Sequence, residues 1–320
     1  MRILLTGATG FLGAHLVRVL QEEGHTLKAL ARASSRTEPL EERGVEVVRG
    51  SFGDRVFLRE ATSNADAIIH AAGGGLGSRD AIYQSNTEST RALLEAAPEG
   101  LTRFVLVSSL AAHGPSKPEQ PARDGDSDHP RSDYGKSKLA AEAALWEHAK
   151  RFSVVSVRPP ALYGPGEYRL VSLFRAAQRG VVPMVHPRGT LSLLDGRDCA
   201  TAVARALVAP KVSGSYFVSE THPYRRQDFA SLIGNAVGRD VRVVPVPVGA
   251  LHWAARGAEL VGRLRNTTPP LSQDKVRDAS APHQSCDPSR AIQELGWQPA
   301  HRFREGAMEA YEDYRARGWL

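Results

Sequence analysis

The stretch TGATGFLG, residues 6–13, follows the short apolar run ILL at 3–5 and leads into the amphipathic pattern FLGAHLVRVLQEE. Its glycines, Gly7, Gly10 and Gly13, fall at three-residue intervals. Between a strand and a helix this spacing has a physical meaning. Gly7 permits a sharp turn, Gly10 lets backbone amides approach a pyrophosphate at the helix N-terminus, and Gly13 lets the helix pack close to the sheet. Thr9, Phe11 and Leu12 complete the expected cofactor-binding loop.

Working outward, short apolar runs recur at residues 2–6, 26–30, 45–49, 67–70, 104–108 and 154–158 and are read as strands. Helical patterns occupy 11–23, 54–62, 81–97 and 134–150. Strands alternating with helices of this length predict an α/β fold, a doubly wound parallel Rossmann sheet. Beyond about residue 160 the alternation loosens, prolines and glycines thicken, and helices predominate. The expected division is a cofactor-binding domain over 1–162, with return segments near 190–220. A smaller, mainly helical and discontinuous substrate-binding domain follows over 163–320. Within it, residues 249–264 place Leu251, Ala254, Ala255, Ala258, Val261 and Leu264 on one helical face, either packing the core or walling a substrate pocket.

Composition narrows the partners. The chain has 320 residues, 42% of them hydrophobic, which suffices for a large core. The net charge is +6, but the basic residues are scattered, so nucleic acid is not expected. Cys199 and Cys286 stand far apart, and the eleven histidines lack a metal-ligand spacing, so neither disulfide nor metal is expected. No window approaches a membrane span and the N-terminus does not read as a signal sequence; a cytoplasmic protein is expected.

Two features bear on cofactor and chemistry. The second strand ends in LKALARASSR without the acidic residue that binds ribose hydroxyls in NAD-type sites. Arg32, with Ser35 and Arg36, could instead hold a ribose 2′-phosphate, which favours NADP(H), with NAD(H) as the alternative. Further on, SDYGKSKLAAE at 132–142 sets Tyr134 and Lys138 one helical turn apart. Beside a nicotinamide site, an ammonium would lower the phenol from its free value near ~10 and make Tyr134 a proton donor or acceptor. The fifth strand ends in VSSLAAHG, and since successive strand residues point oppositely, one of Ser108 and Ser109 can join them.

TGATGFLG, IIHAAG, VSSLAAHGP, YGKSK and VRPPALYGPG, in that order, resemble the extended short-chain dehydrogenase/reductase family. That family includes sugar-nucleotide epimerases, dihydroflavonol-type reductases and 3β-hydroxysteroid dehydrogenases. The resemblance covers essentially the whole chain and implies a catalytic set of Ser109, Tyr134 and Lys138. Ser109 is chosen by counting back from Gly114. It further implies cofactor contacts at Ala71, Ala72 and Gly73, at Tyr134 and Lys138, and at Pro159 after the sixth strand. His113 replaces the family's frequent tyrosine and is either a substrate contact or a partly exposed loop histidine; Tyr163 is a second candidate substrate contact. Dimerisation through the helices at 81–97 and 134–150 would follow the family habit.

Departures point to the substrate. Ser51 stands where an acidic residue often meets adenine. Pro159 and Pro160 occupy the region of the asparagine that binds a sugar nucleotide's diphosphate, and Thr190, Leu191 and Ser192 replace a diphosphate arginine, with Arg197 a weak substitute. The expected activity is therefore NADPH-dependent hydride transfer to or from a carbonyl or secondary alcohol of a fairly apolar small molecule. An NDP-sugar epimerase or dehydratase is the alternative, and a non-catalytic NADP(H)-sensing protein a third reading.

Overall fold

The computed structural model describes residues 1–265, 267, 269 and 271–320, with only the backbone at 263 and 264. Seven strands form one parallel sheet: β1 (Arg2–Thr6), β2 (Thr26–Ala31), β3 (Glu46–Arg49), β4 (Ala67–His70), β5 (Arg103–Val107), β6 (Ser153–Arg158) and β7 (Gly214–Phe217). Their order across the sheet is 3-2-1-4-5-6-7. The chain reverses its direction of travel between β1 and β4, the switch point at which doubly wound sheets open a crevice for a ligand.

The pleat explains why both faces need helices. Ile3 and Leu5 of β1 and Val105 and Val107 of β5 join one apolar core, while Leu4, Phe104 and Leu106 join the other. Residues alternate between faces along a strand, so a parallel strand with two apolar faces is stable only when covered twice. Helix α1 (Phe11–Glu22) and helix α3 (Gly196–Val208) cover the first face. Ser89–Ala96 and helix α2 (Asp133–Glu147) cover the second.

The expected helix over 81–97 takes a more complex form. Arg79–Tyr83 is α-helical, Gln84–Glu88 makes a π-turn, and Ser89–Ala96 resumes the α-helix. The widened turn delivers the buried Asn86 inward. Its side-chain amide donates to the Gly74 carbonyl at 2.8 Å and to the Ser137 hydroxyl at 3.0 Å, and π-turns concentrate where side chains must be re-aimed.

A third apolar core gathers Tyr163, Phe174, Phe229, Phe303 and Tyr314 from the later half of the chain. Tyr163 is fully buried edge-on against Phe303, their ring centroids 4.9 Å apart, so it serves packing and does not face a substrate. Helix Val248–Arg265 stands outside this core. Ala255 is buried and Leu251 and Ala258 are half-buried, but Ala254 and Val261 are exposed, so only part of the expected apolar face turns inward. The Leu264 side chain lies outside the described residues.

Glu220 ties this core together. Its carboxyl accepts from the Phe303 backbone N–H at 3.0 Å and from the Tyr224 hydroxyl at 2.6 Å. Burial pushes it up to about 7, from an ordinary value of 4.5. A carboxyl whose pKa is raised on folding adds stability below its unfolded value and loses that contribution as the pH rises through its folded value. The melting-temperature difference between Glu220→Gln and wild type should therefore climb between about pH 5 and pH 8, by up to about 3 kcal/mol in equivalent stability. A pH-independent difference would mean that the carboxylate is charged throughout.

Candidate active site

The site is built at the C-terminal ends of β1, β4, β5 and β6. Gly7 has φ +77°, and a Cβ there would lie 2.7 Å from the backbone of Ala71 and Ala72, so glycine is required twice over. Gly13 is required by contact alone, since a Cβ would meet the Gly7 carbonyl oxygen at 2.1 Å. Gly10 differs: a Cβ there would meet only the Gly7 carbonyl, at 3.3 Å. Gly10 is also the N-cap of α1 and supplies no side-chain cap to it. An uncapped helix N-terminus at the sheet's switch point, with a glycine in front, fits a pyrophosphate.

Thr6 fixes the neighbouring loop. Its hydroxyl accepts from the Ala72 N–H at 3.1 Å and lies 2.6 Å from Nδ1 of the fully buried His70. The Ser89 hydroxyl donates to the Ser85 carbonyl at 2.8 Å and so accepts from His70 Nε2–H at 3.3 Å, which leaves Nδ1 to accept from the Thr6 hydroxyl. Burial lowers the His70 pKa to about 3, so this chain stays uncharged.

The loop then runs Gly73-Gly74-Gly75 against α2. A Cβ on Gly73 would lie 2.5 Å from Asn86 Oδ1 and 2.9 Å from Lys138 Nζ, and one on Gly75 would lie 3.2 Å from the Tyr134 ring. Tyr134 and Lys138 thus present a common face to one backbone segment, as their one-turn spacing requires. Ser109 closes the set: it caps helix Leu110–His113 by accepting from the Ala111 N–H at 3.1 Å, and its hydroxyl lies near enough to the Tyr134 phenol to act on its ionisation. Ser108 points the other way, buried with its hydroxyl unpartnered.

Electrostatics depart from the expectation for Tyr134. Burial raises its pKa, Ser109 and then Arg169 act to lower it, and Asp278 raises it; Lys138 is not among the groups that shift it. The lysine ammonium instead donates to the Val107 carbonyl at 3.0 Å. Burial lowers Lys138 to about 8 against the opposing pull of Glu142.

Asp274 was not legible from the sequence. Its buried carboxylate accepts from the backbone N–H groups of Asp133 at 2.5 Å and Tyr134 at 3.1 Å. It caps the catalytic-side helix from 140 residues away. Asp274 lies in helix Gln273–Ala279, whose Arg277 also reaches Asp133 at 3.3 Å.

His113 is corrected: it is neither exposed nor free to meet a ligand. Its side chain is 4% exposed and Nδ1 lies 3.1 Å from Asp128. Asp128 is one of two carboxylates on Arg158, bonded at 2.8 and 2.9 Å; Glu142 is the other. Pro159 follows, its carbonyl accepting from Leu110 at 2.8 Å. At the ribose end, Arg32 is exposed just past β2, Ser35 is half-buried with its carbonyl bonded by Arg49, and Arg36 pairs loosely with Glu38 at 3.7 Å. Ser51, after β3, accepts from the Gly53 N–H at 3.2 Å.

The family model described as the NAD dependent epimerase/dehydratase family matches residues 3–218. The chain belongs to this family. Like its members it is an NAD(P)-dependent enzyme of the extended short-chain dehydrogenase/reductase group. Ceramide reductase of Caulobacter vibrioides is 30% identical over 99% of this chain and 96% of the relative. The 2-alkyl-3-oxoalkanoate reductase of Stenotrophomonas maltophilia is 27% identical over 96% and 97%. Among solved structures, UDP-glucose 4-epimerase of Thermus thermophilus in complex with NAD superposes with a TM-score of 0.79 at 21% identity, over 98% of this chain and 99% of the other, a likeness of fold.

The glycines separate packing from binding. Gly13→Ala should lose about 2–3 kcal/mol of stability, because the added methyl meets backbone that cannot retreat. Gly10→Ala, whose methyl would lie 3.3 Å from the Gly7 carbonyl, should lose less stability than Gly13→Ala yet bind dinucleotide about tenfold or more weakly, as measured by fluorescence titration. Unchanged affinity in a folded Gly10→Ala protein would remove the pyrophosphate from this loop.

Proposed function

We propose that the chain is an NADPH-dependent reductase of the carbonyl group of a fairly apolar small molecule, working reversibly on the corresponding secondary alcohol. When bound, the nicotinamide supplies the hydride. The residues of the chain do the rest. The Ser109 hydroxyl holds the substrate oxygen, Tyr134 delivers a proton from its phenol oxygen to that oxygen, and Lys138 provides the positive charge that stabilises the phenolate left behind. Gly7, Gly10 and Gly13, with Thr9, Phe11 and Leu12, hold the pyrophosphate, while Ala71, Ala72, Gly73 and Pro159 border the cofactor. Residues 163–320, apart from the return segments near 190–220, form the substrate side.

One observation carries the choice against sugar-nucleotide chemistry. Arg197, the weak substitute for the diphosphate arginine, is occupied: it bonds Asp195 at 2.8 Å and Glu309 at 2.6 Å. No asparagine follows β6, where the sequence runs Pro159, Pro160, Ala161. The names of the two reductase relatives, a ceramide reductase and a 2-alkyl-3-oxoalkanoate reductase, support an apolar carbonyl compound.

Cofactor choice rests on Arg32, which stands exposed where NAD-type sites place a carboxylate. Arg32→Glu should weaken NADPH binding by about tenfold or more and leave NADH binding little changed. An NADH Kd equal to or tighter than that of NADPH in the wild type would sink the preference.

The reaction itself is tested on the NADPH-loaded protein by thermal stabilisation, with hydrophobic ketones in one panel and UDP, dTDP and their sugars in another. A ligand at a hundredfold its Kd adds about 2.7 kcal/mol. Stabilisation by the ketones, with turnover lost and NADPH affinity kept in Tyr134→Phe, is the expected result. Stabilisation by the nucleotides alone would make the chain a sugar-nucleotide enzyme.

A further inference from the structure

The helix Val248–Arg265 shows its largest apolar side chains to the outside. Trp253 is 74% exposed, Leu260 61% and Val261 47%. With Ala250, Ala254 and Gly257, also exposed, they follow a three- and four-residue spacing and so form one continuous ridge. Single exposed apolar residues are ordinary, but a ridge containing tryptophan and leucine is costly to keep in water and implies something that covers it.

Charge indicates what covers it. The exposed ionisable residues of the helix, among the described side chains, are Arg256 and Arg265, both cationic. The helix's acid, Glu259, is turned inward, where it accepts from the Gln273 N–H at 2.7 Å. The Arg256 guanidinium sits over the Trp253 ring, 5.5 Å from its centroid. An apolar ridge holding a tryptophan, flanked by arginines and cleared of carboxylates, matches the boundary of an anionic lipid surface, with aromatic and aliphatic groups at acyl depth and guanidinium groups among the headgroups. The helix is not long and apolar enough to cross a membrane.

We propose that this ridge docks the protein on an anionic membrane surface, with the helix lying in the plane of the interface. The placement has a consequence. His252 on this helix is bonded to Gln273 at 2.8 Å, and Gln273 returns a bond to the His252 carbonyl at 2.7 Å. The next residue, Asp274, caps the helix that bears Tyr134. The ridge is therefore joined to the catalytic side through one short helix, so docking would hold that side of the molecule near the lipid. The inference does not depend on the substrate assigned above, because lipid binding is measured without turnover.

The test is vesicle co-sedimentation of the full chain with phosphatidylcholine alone and with phosphatidylcholine containing phosphatidylglycerol. The expected result is binding to the anionic vesicles that falls as salt is raised, with a blue shift in tryptophan emission. Trp253 is exposed, Trp297 is buried, and Trp146 and Trp319 are half-buried, so the shift should vanish in Trp253→Phe. Trp253→Ser combined with Leu260→Ser should bind about tenfold or more weakly while keeping the wild-type melting temperature and NADPH affinity. Arg256→Glu should weaken binding to anionic vesicles alone. Equal vesicle binding by wild type and the double variant, or none by either, would overturn the proposal. So would a concentration-dependent dimer that the double variant abolishes, because a second copy would then be what covers the ridge.

Discussion

The cofactor side of this molecule depends on how closely α1 can approach the turn that precedes it. With hydrogen at the α-carbon of Gly13, the helix presses onto the Gly7 carbonyl and the Ala8 backbone; any side chain would place an atom within 2.1 Å of that oxygen. The close approach brings the uncapped N-terminus of α1 over the edge of the sheet. It also lets Phe11 in the first turn lie on Gly196 at the start of α3, where a Cβ would come within 2.5 Å of its ring. Gly7 repeats the constraint sideways against Ala71 and Ala72, so the ends of β1 and β4 are locked together where the crevice opens. The neutral chain from Ala72 through Thr6 to His70 then satisfies the polar groups that such close packing would otherwise strand.

A second constraint joins the two halves of the chain. A helix begins with backbone N–H groups that lack partners, and a carboxylate placed there gains both hydrogen bonds and a favourable interaction with the helix dipole. In α2 the sequence supplies one local cap, Ser132, which accepts from Gly135 at 2.9 Å. Asp274 supplies the rest from far along the chain. The backbone that carries Tyr134 is thereby held by both halves, and a movement of helix Gln273–Ala279 would be felt at the phenol. Asp278, on the same short helix, is pushed up to about 6 by burial and by Asp274 nearby.

Local signals made the sheet legible. Two of the six expected strands, at 2–6 and 67–70, coincide with the observed ones and the other four differ by a residue at one or both ends, because β-branched and apolar runs buried on two faces leave little ambiguity. The glycine loop, Tyr134, Lys138 and Ser109 could be located because each depends on spacing within one element or its turn. What could not be read depends on distant partners or on direction. β7 has only four residues and gains its place by pairing with β6. Asn86 requires a π-turn that an apolar period reads as a plain helix. Asp274 has no local signature, and Tyr163 and His113 lie in motif positions but point into packed surroundings that their neighbours in sequence do not reveal. In the helix Val248–Arg265 the period was right and the rotation incomplete, since small residues fit an inner face as well as an outer one.

The ionisation of the proposed catalytic pair has a direction built into it. Burial lifts the Tyr134 phenol and lowers the Lys138 ammonium to about 8, since in each case the charged form is the one that suffers from desolvation. At neutral pH the tyrosine is therefore a neutral donor and the lysine still carries its charge. That is the state from which a proton can be given to a developing alkoxide. The phenolate that would result is the costly species here, because it forms where burial disfavours charge. Burial thus keeps the phenol protonated at neutral pH, and Ser109 and Arg169 are the two groups that pull it down.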